Sequence, residues 1–274
     1  MEKIKEQCIL CNAPAFTKQF TKNNWDLVKC DNCGLVFACP LPTPVQLEDF
    51  YNKHKQPTQE RIETYLRGRA SRERRNRRKL KYLEITQGHK GRLLDIGCSL
   101  GLFVKDASER GWEAQGIDLD KDLIEYGKKK FHLDLICARL EEANFPDGFF
   151  DVITMFNLLD HIGEPLPFLK EVERVLKPGG VVYLNLHDAG GWKAKKFKEN
   201  WSAYCPPGHL YYYNHRTLEA MLHKIGLKFF RVPGVNFKEG IKMLAVKEND
   251  QRKQGLLRKR LEKSIYDTVQ ILKL

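Results

Sequence analysis

The segment Arg92–Asp118, RLLDIGCSLGLFVKDASERGWEAQGID, decides the fold. RLLDI (92–96) is the apolar run of a parallel strand buried on both faces, and Leu102 to Arg110 reads as the helix that follows. Between them, Gly97-Cys98-Ser99-Leu100-Gly101 supplies glycines for tight bending and close backbone approach, and amides at a helix start to hold a polar ligand. Asp95 ends the strand, where its carboxylate can order the loop or accept from an ammonium group. A second strand, Glu113 to Ile117, ends in Asp118, seventeen residues beyond Gly101, where a carboxylate can accept both hydroxyls of a ribose. Strand, glycine loop, helix, strand and acid form a nucleotide cradle, open to a dinucleotide or an adenosyl cofactor.

The same five residues also match Gly-x-Ser-x-Gly, the nucleophile elbow of hydrolases, with Asp160 and His187 or His209 downstream in the required order. Against this, an elbow normally follows several strands and an oxyanion-hole loop, whereas here it follows the first strand of the domain.

Outward from the cradle, 274 residues allow one α/β core plus a small accessory module. No run of about 18 apolar residues exists to span a membrane, and the N-terminus carries no apolar signal region, so a cytoplasmic protein is expected. Four of the eight cysteines form two Cys-x-x-Cys pairs, Cys8/Cys11 and Cys30/Cys33, separated by eighteen residues. This is the spacing of a closed tetrahedral Zn²⁺ site rather than of a disulfide framework, and a structural ion stabilises a segment too small for its own core. Cys39, Cys98, Cys137 and Cys205 are expected to be small buried or pocket-lining residues. Pro40 to Pro44 marks the hinge that closes this zinc-ribbon module at residues 1–44.

The formal charge is +12, and ten of the basic side chains crowd Arg61 to Lys81 against only Glu63 and Glu73. Gln59 to Gln87 lacks proline and is rich in helix formers, so one long helix or two abutting ones are expected within a basic linker at residues 45–90. Its apolar contacts reduce to Ile62, Tyr65, Leu66, Leu80 and Leu83. The basic remainder is either a solvated face or a grip on a polyanion such as RNA.

LLDIGCSLG (93–101) followed by GIDLD (116–120) resembles motif I and the ribose-binding acid of class I S-adenosylmethionine-dependent methyltransferases. The resemblance continues through Ala138 to Glu142, FFDVITMFNLLDHI (149–162) and RVLKPGGVVYLNL (174–186). It implies a Rossmann-like α/β fold with a seven-stranded sheet, residues 91–247, closed by the strands Leu227 to Val232 and Ile241 to Val246 as its antiparallel edge. It also implies that Asp95, Gly97 and Gly101 frame the methionine part of S-adenosylmethionine, that Asp118 holds the ribose, and that Leu119 packs on adenine. Cys98, Ser99, Leu140 and Asn157 complete that cofactor set, with Ser99 at a position more often glycine. Lys177 to Gly180 reads as the turn from a helix into the fifth strand.

Acceptor-binding groups should lie beyond the carboxyl ends of the strands. His209, in CPPGHLYYYN (205–214), is the first candidate for a base, His161 the second, and His187 ends the fifth strand. Trp201, Tyr204, Tyr211 and Tyr213 are expected to wall a pocket within a cap at residues 188–215. From Cys8 to Val246 the chain resembles bacterial methyltransferases found with sugar and surface-glycan pathways, which implies a small-molecule acceptor, a hydroxyl or carbon of a sugar or nucleotide-sugar. RNA methylation is the alternative, although Met155-Phe156-Asn157-Leu158 lacks the Asp/Asn-Pro-Pro-aromatic signature of base-amine chemistry. A catalytically inactive zinc-ribbon binding protein is a further alternative. The tail at 248–274 spaces Leu257, Leu261, Ile265, Val269 and Leu272 as an amphipathic helix, for packing on its own domain as a monomer or at a homodimer contact.

Overall fold

The computed structural model describes residues 7–54, 56–231, 240–247, 249–252, 254–257 and 259. The N-terminal segment forms three antiparallel strands, β1 (Phe16–Lys22), β2 (Trp25–Cys30) and β3 (Val36–Cys39). Helix α1 (Pro44–His54) follows, started by a reciprocal bond pair between Thr43 and Gln46 with Pro44 at the first helical position. The basic stretch is two abutting helices, α2 (Thr58–Leu66) and α3 (Arg69–Gln87), broken at Gly68 in the left-handed conformation. Ile62, Leu80 and Leu83 are buried, as the pattern requires.

The cradle comprises β4 (Arg92–Ile96), α4 (Leu102–Ser108) and β5 (Glu113–Asp118), after which α5 (Lys121–Phe131) leads to β6 (Asp134–Cys137). Then come β7 (Phe150–Phe156), α6 (Pro165–Val175) and β8 (Leu176–Leu186). Lys177 to Gly180 lies inside β8, at an irregularity in its pairing with β7, so the expected turn is a bulge that lengthens the strand. Beyond α7 (Trp192–Phe197), the two-residue β9 (Tyr211–Tyr212) joins the N-terminal strands in the order β1-β2-β3-β9. Helix α8 (His215–His223) is capped by Asn214, whose side chain accepts from the Thr217 amide.

Strands β10 (Leu227–Arg231) and β11 (Ile241–Lys247) complete a seven-stranded sheet ordered β10-β11-β8-β7-β4-β5-β6. β11 pairs antiparallel with both β8 and β10, so β11 alone runs against the other strands and it lies one place in from the edge. The expected antiparallel edge is thereby corrected: β10, the edge strand, runs with the parallel set. Of the tail's apolar series, Leu257 is buried among the core side chains and the others lie outside the described residues.

The N-terminal strands are not insulated from this sheet. Cys8, Leu10, Val28 and Phe37 share one continuous apolar core with Ile96, Leu210 and Tyr211. A close approach also fixes the cradle: a Cβ added at Gly127 of α5 would sit 2.5 Å from the Leu100 carbonyl oxygen. Gly127→Ala is therefore expected to destabilise the fold by roughly 1–3 kcal/mol through overpacking against backbone that cannot swing away. Denaturant unfolding of the variant checks this.

Candidate active site and metal centre

Three left-handed residues, Gly97, Ser99 and Gly101, wind the loop after β4. The turn turns its amides inward: Gly97 N and Cys98 N both donate to the Ile117 carbonyl, and Ser99 N donates to Asp118 Oδ2 at 2.8 Å. Asp118 Oδ1 accepts from the Asp120 amide, so this carboxylate ties two loops together. Burial raises the Asp118 carboxyl, and the backbone amides at its oxygens oppose that. Asp95 is wholly enclosed and accepts from the Thr154 hydroxyl at 2.6 Å. Burial pushes it up to about 7, against the pull of Thr154 and of the Lys79 charge.

The other expected cofactor residues gather here unequally. Cys98 and Leu140 are buried, Leu119 is 61% exposed at the rim, and Asn157 leaves β7 with a positive φ, its amide donating to the Asn185 carbonyl. The Leu158 side chain lies 3.1 Å from the position of a Cβ on Gly97, which keeps that position free of any side chain. The Ser99 hydroxyl donates to Tyr65 of α2 at 3.0 Å and no imidazole among the described residues engages it, which speaks against the hydrolase reading.

Where β7 and β8 end side by side, three histidines surround one acid. Asp160, 4% exposed, sits in a 3-10 turn after β7, with His187 Nδ1 3.3 Å from its Oδ2. His209 Nδ1 is 3.8 Å from the same oxygen, and His161 Nε2 is 4.0 Å from Oδ1. Burial alone would raise this acid, but the His187 hydrogen bond and the charges of His161 and His209 outweigh it and hold the carboxyl below its ordinary range. His209 Nδ1 donates to the Ala203 carbonyl at 2.7 Å, and burial lowers its basicity. The His187 side chain is 41% exposed against 15% for His209, and it opens onto a cavity of about 410 Å³ lined also by Asp188, Trp192, Phe197 and Trp201.

This arrangement redistributes the expected pocket. Trp201 borders the cavity, while Tyr204 packs edge-on against it and against Tyr212. Tyr211 and Tyr213 are core residues, 0% and 1% exposed, and present no face to a pocket. Their alternation with Tyr212 follows from the strand pairing of β9, which the aromatic cluster alone does not reveal.

Cys8, Cys11, Cys30 and Cys33 converge with their sulfurs within 4.8 Å of one another. The Cys8–Cys33 and Cys11–Cys30 sulfurs are each 3.5 Å apart, close to the roughly 3.8 Å edge of a tetrahedron with Zn–S bonds of about 2.3 Å. Of the remaining cysteines Cys98 is buried and Cys39 and Cys205 half-buried; Cys137 is exposed, contrary to expectation, because it ends the edge strand β6.

The sequence profile of the methyltransferase domain matches residues 68–231, more than half of the chain. The chain belongs to the methyltransferase-domain family. Within it, ubiquinone biosynthesis O-methyltransferase of Coxiella burnetii is 29% identical over 113 residues, 39% of this chain and 48% of the relative. Demethylmenaquinone methyltransferase of Lysinibacillus sphaericus is 31% identical over 110 residues, 38% of this chain and 46% of that one. The match thus spans about half the length of these relatives. Among solved structures, magnesium protoporphyrin IX methyltransferase of Synechocystis superposes with a TM-score of 0.55 at 13% identity, covering 75% of this chain and 100% of that one. The 1,6-didemethyltoxoflavin-N1-methyltransferase of Burkholderia thailandensis gives 0.52 at 15% identity, covering 83% and 96%. At such identities the likeness is one of fold: this chain carries the methyltransferase-family sheet.

Several participants escaped the reading of the sequence. Lys79 lies 3.5 Å over the Phe156 ring and is lowered to about 8 by burial, its charge acting on Asp95. Asn76, in the middle of the basic run, is buried and donates to Asp106. Asn76, Lys79, Leu80 and Leu83 recur at helical spacing, a signal hidden because its first two members are polar. Arg61 pairs with Asp120 and Asp122, pinning α2 beside the acid-bearing loop.

Proposed function

We propose that the protein transfers a methyl group from S-adenosylmethionine to a hydroxyl of a small molecule, a sugar or nucleotide-sugar, with a carbon acceptor as the related case. The observation that carries the reading is the Asp160–His187 pair, set where β7 and β8 end and one strand over from the Gly97–Gly101 loop. Ligands of open α/β sheets bind at that end. The donor set of the cradle fits the cofactor: an enclosed carboxylate at Asp95 for an ammonium, Asp118 for ribose hydroxyls, and a loop with no side chain at Gly97. Gly101, Cys98, Ser99, Leu140, Asn157 and the exposed Leu119 are the further contacts that this reading assigns to the cofactor. Bound there, S-adenosylmethionine supplies an electrophilic methyl group.

The chain's own contribution is alignment and proton removal. His187, with Nδ1 turned to Asp160, keeps Nε2 as the acceptor for the proton of the acceptor's hydroxyl, and Asp160 stabilises the imidazolium that results. His187 thereby takes the role first expected of His209 and His161, because its side chain is the most exposed of the three, 41% against 31% for His161 and 15% for His209, and it alone of them lines the cavity. Trp192, Phe197 and Trp201 offer flat apolar faces and Asp188, Asn200 and Ser202 polar groups around the cavity, a mixture suited to a sugar ring. Incubation with radiolabelled S-adenosylmethionine and a panel of nucleotide-sugars and simple sugars tests this; label in a hydroxyl-bearing acceptor is expected. The reading fails if no sugar in the panel is labelled while another acceptor class is.

Asp95 gives a pH dependence with a definite sign. The free protein holds a proton on this carboxyl below about pH 7, and an ammonium group favours the carboxylate. S-adenosylmethionine affinity is expected to rise about tenfold per pH unit up to about 7 and to level off above it. Calorimetry across pH measures this, and Asp95→Asn should flatten the curve.

The four thiolates fit a structural Zn²⁺, and free thiols throughout fit a reducing, cytoplasmic setting. No helix among the described residues is long and apolar enough to cross a membrane. RNA methylation remains the second reading because Arg67, Arg69, Arg74, Arg75, Arg77 and Arg78 are exposed on α3 and the turn before it. RNA binding that falls steeply with salt, together with methylated RNA as product, favours that reading over the sugar.

A further inference from the structure

We infer that Asp160, His161 and His209 hold a divalent first-row metal ion through nitrogen and oxygen donors, a second site besides the four cysteines. One ligand atom from each of the three lies within 4.8 Å of the others. Oδ1 of Asp160 is buried and without a hydrogen-bond partner among the described residues, a costly state for a carboxylate oxygen. It faces His161 Nε2 across 4.0 Å, too far for a hydrogen bond and about 0.6 Å wider than the roughly 3.4 Å edge of a tetrahedron with metal–ligand bonds of about 2.0–2.2 Å, a gap within reach of a small side-chain rotation.

The imidazoles are held as ligands are held. His161 Nδ1 donates to the Gly208 carbonyl at 2.7 Å, with the Tyr51 hydroxyl alongside at 3.2 Å, which leaves Nε2 as the free lone pair. His209 is fixed in the same manner by Ala203. Backbone carbonyls that set the tautomer and ring plane of two neighbouring histidines are the usual outer shell of a metal site. Two imidazoles and a carboxylate leave open positions and suit zinc, iron, cobalt or nickel rather than magnesium or calcium.

The purpose of the ion rests on the methyl-transfer reading. Asp160 would then serve two partners, with Oδ1 on the ion and Oδ2 on His187. An acceptor hydroxyl bound at an open position loses its proton to His187 more readily, because the cation stabilises the alkoxide. No electron is exchanged, and the single proton ends on His187.

Elemental analysis of the full-length protein, produced in zinc-depleted medium with excess Co²⁺ and passed through gel filtration, tests the site. Two ions per chain in total are expected, one with thiolate charge-transfer absorption and one with only the weak bands of a nitrogen and oxygen site. The double variant His161→Ala/His209→Ala should retain one ion and the thiolate absorption, which also shows that it has folded; His209→Gln alone serves if the double variant does not. A single ion per chain in the wild type, or two ions persisting in the folded variant, overturns the site. Calorimetry with S-adenosylmethionine, run in parallel, reports on the methyl-transfer reading independently of the metal count.

Discussion

His187→Ala is expected to slow methyl transfer by about 10²–10⁴-fold, the range of a lost general base, while S-adenosylmethionine affinity changes by less than about twofold. The two effects separate because His187 lies beyond the end of β8, whereas the expected cofactor contacts come from β4, β5 and the segments that follow β4, β5, β6 and β7. Asp160→Asn should reproduce much of the loss, and the double variant His187→Ala/Asp160→Asn should be little worse than His187→Ala alone, as for residues that act as one unit. Equal losses in rate and cofactor affinity would assign His187 to packing instead.

Loss of the Zn²⁺ proposed at the four cysteines is expected to have the second large effect. Structural zinc contributes about 10–16 kcal/mol of apparent binding free energy in small modules, and most of that is folding free energy. Here the module is also a load on the rest of the chain: β3 pairs with β9, and Phe37 faces Tyr211 across that pairing, two residues from His209. Cys30→Ser should therefore release the metal, lower Tm by about 10 °C or more at about 2–4 °C per kcal/mol for a chain of this size, and open β1–β3 to protease. Activity should fall with it, since β9 carries the strand that follows His209. Thermal melts with metal analysis check this; an unchanged Tm with the metal lost would detach the module from the fold.

What the amino-acid sequence makes legible follows from how local each signal is. The cradle is readable because every part of it lies within Arg92–Asp118, with glycines where the backbone demands them: Gly97 and Gly101 are both left-handed, as the tight loop requires. The four cysteines are readable because short Cys-x-x-Cys turns carry their own geometry. The acid and three histidines are not, since Asp160, His161, His187 and His209 meet only when β7, β8 and the segment before β9 are brought together. Each histidine alone is unremarkable in the sequence, and His209 stands out merely for its aromatic neighbours, two of which prove to be core. The role of α3 was hidden for another reason. Its inward face begins with Asn76 and the half-buried Lys79, which composition assigns to solvent, so the helix reads as a charged spacer although it packs against α4 and β7.

Binding of the methyl donor is the central claim, and calorimetric addition of S-adenosylmethionine to the full-length protein tests it most directly. Saturable one-to-one binding is expected, weakened by at least about tenfold in Asp118→Ala, the loss of a charged hydrogen-bond acceptor worth about 1.5–3 kcal/mol. No measurable binding, or an affinity indifferent to Asp118, would contradict the account.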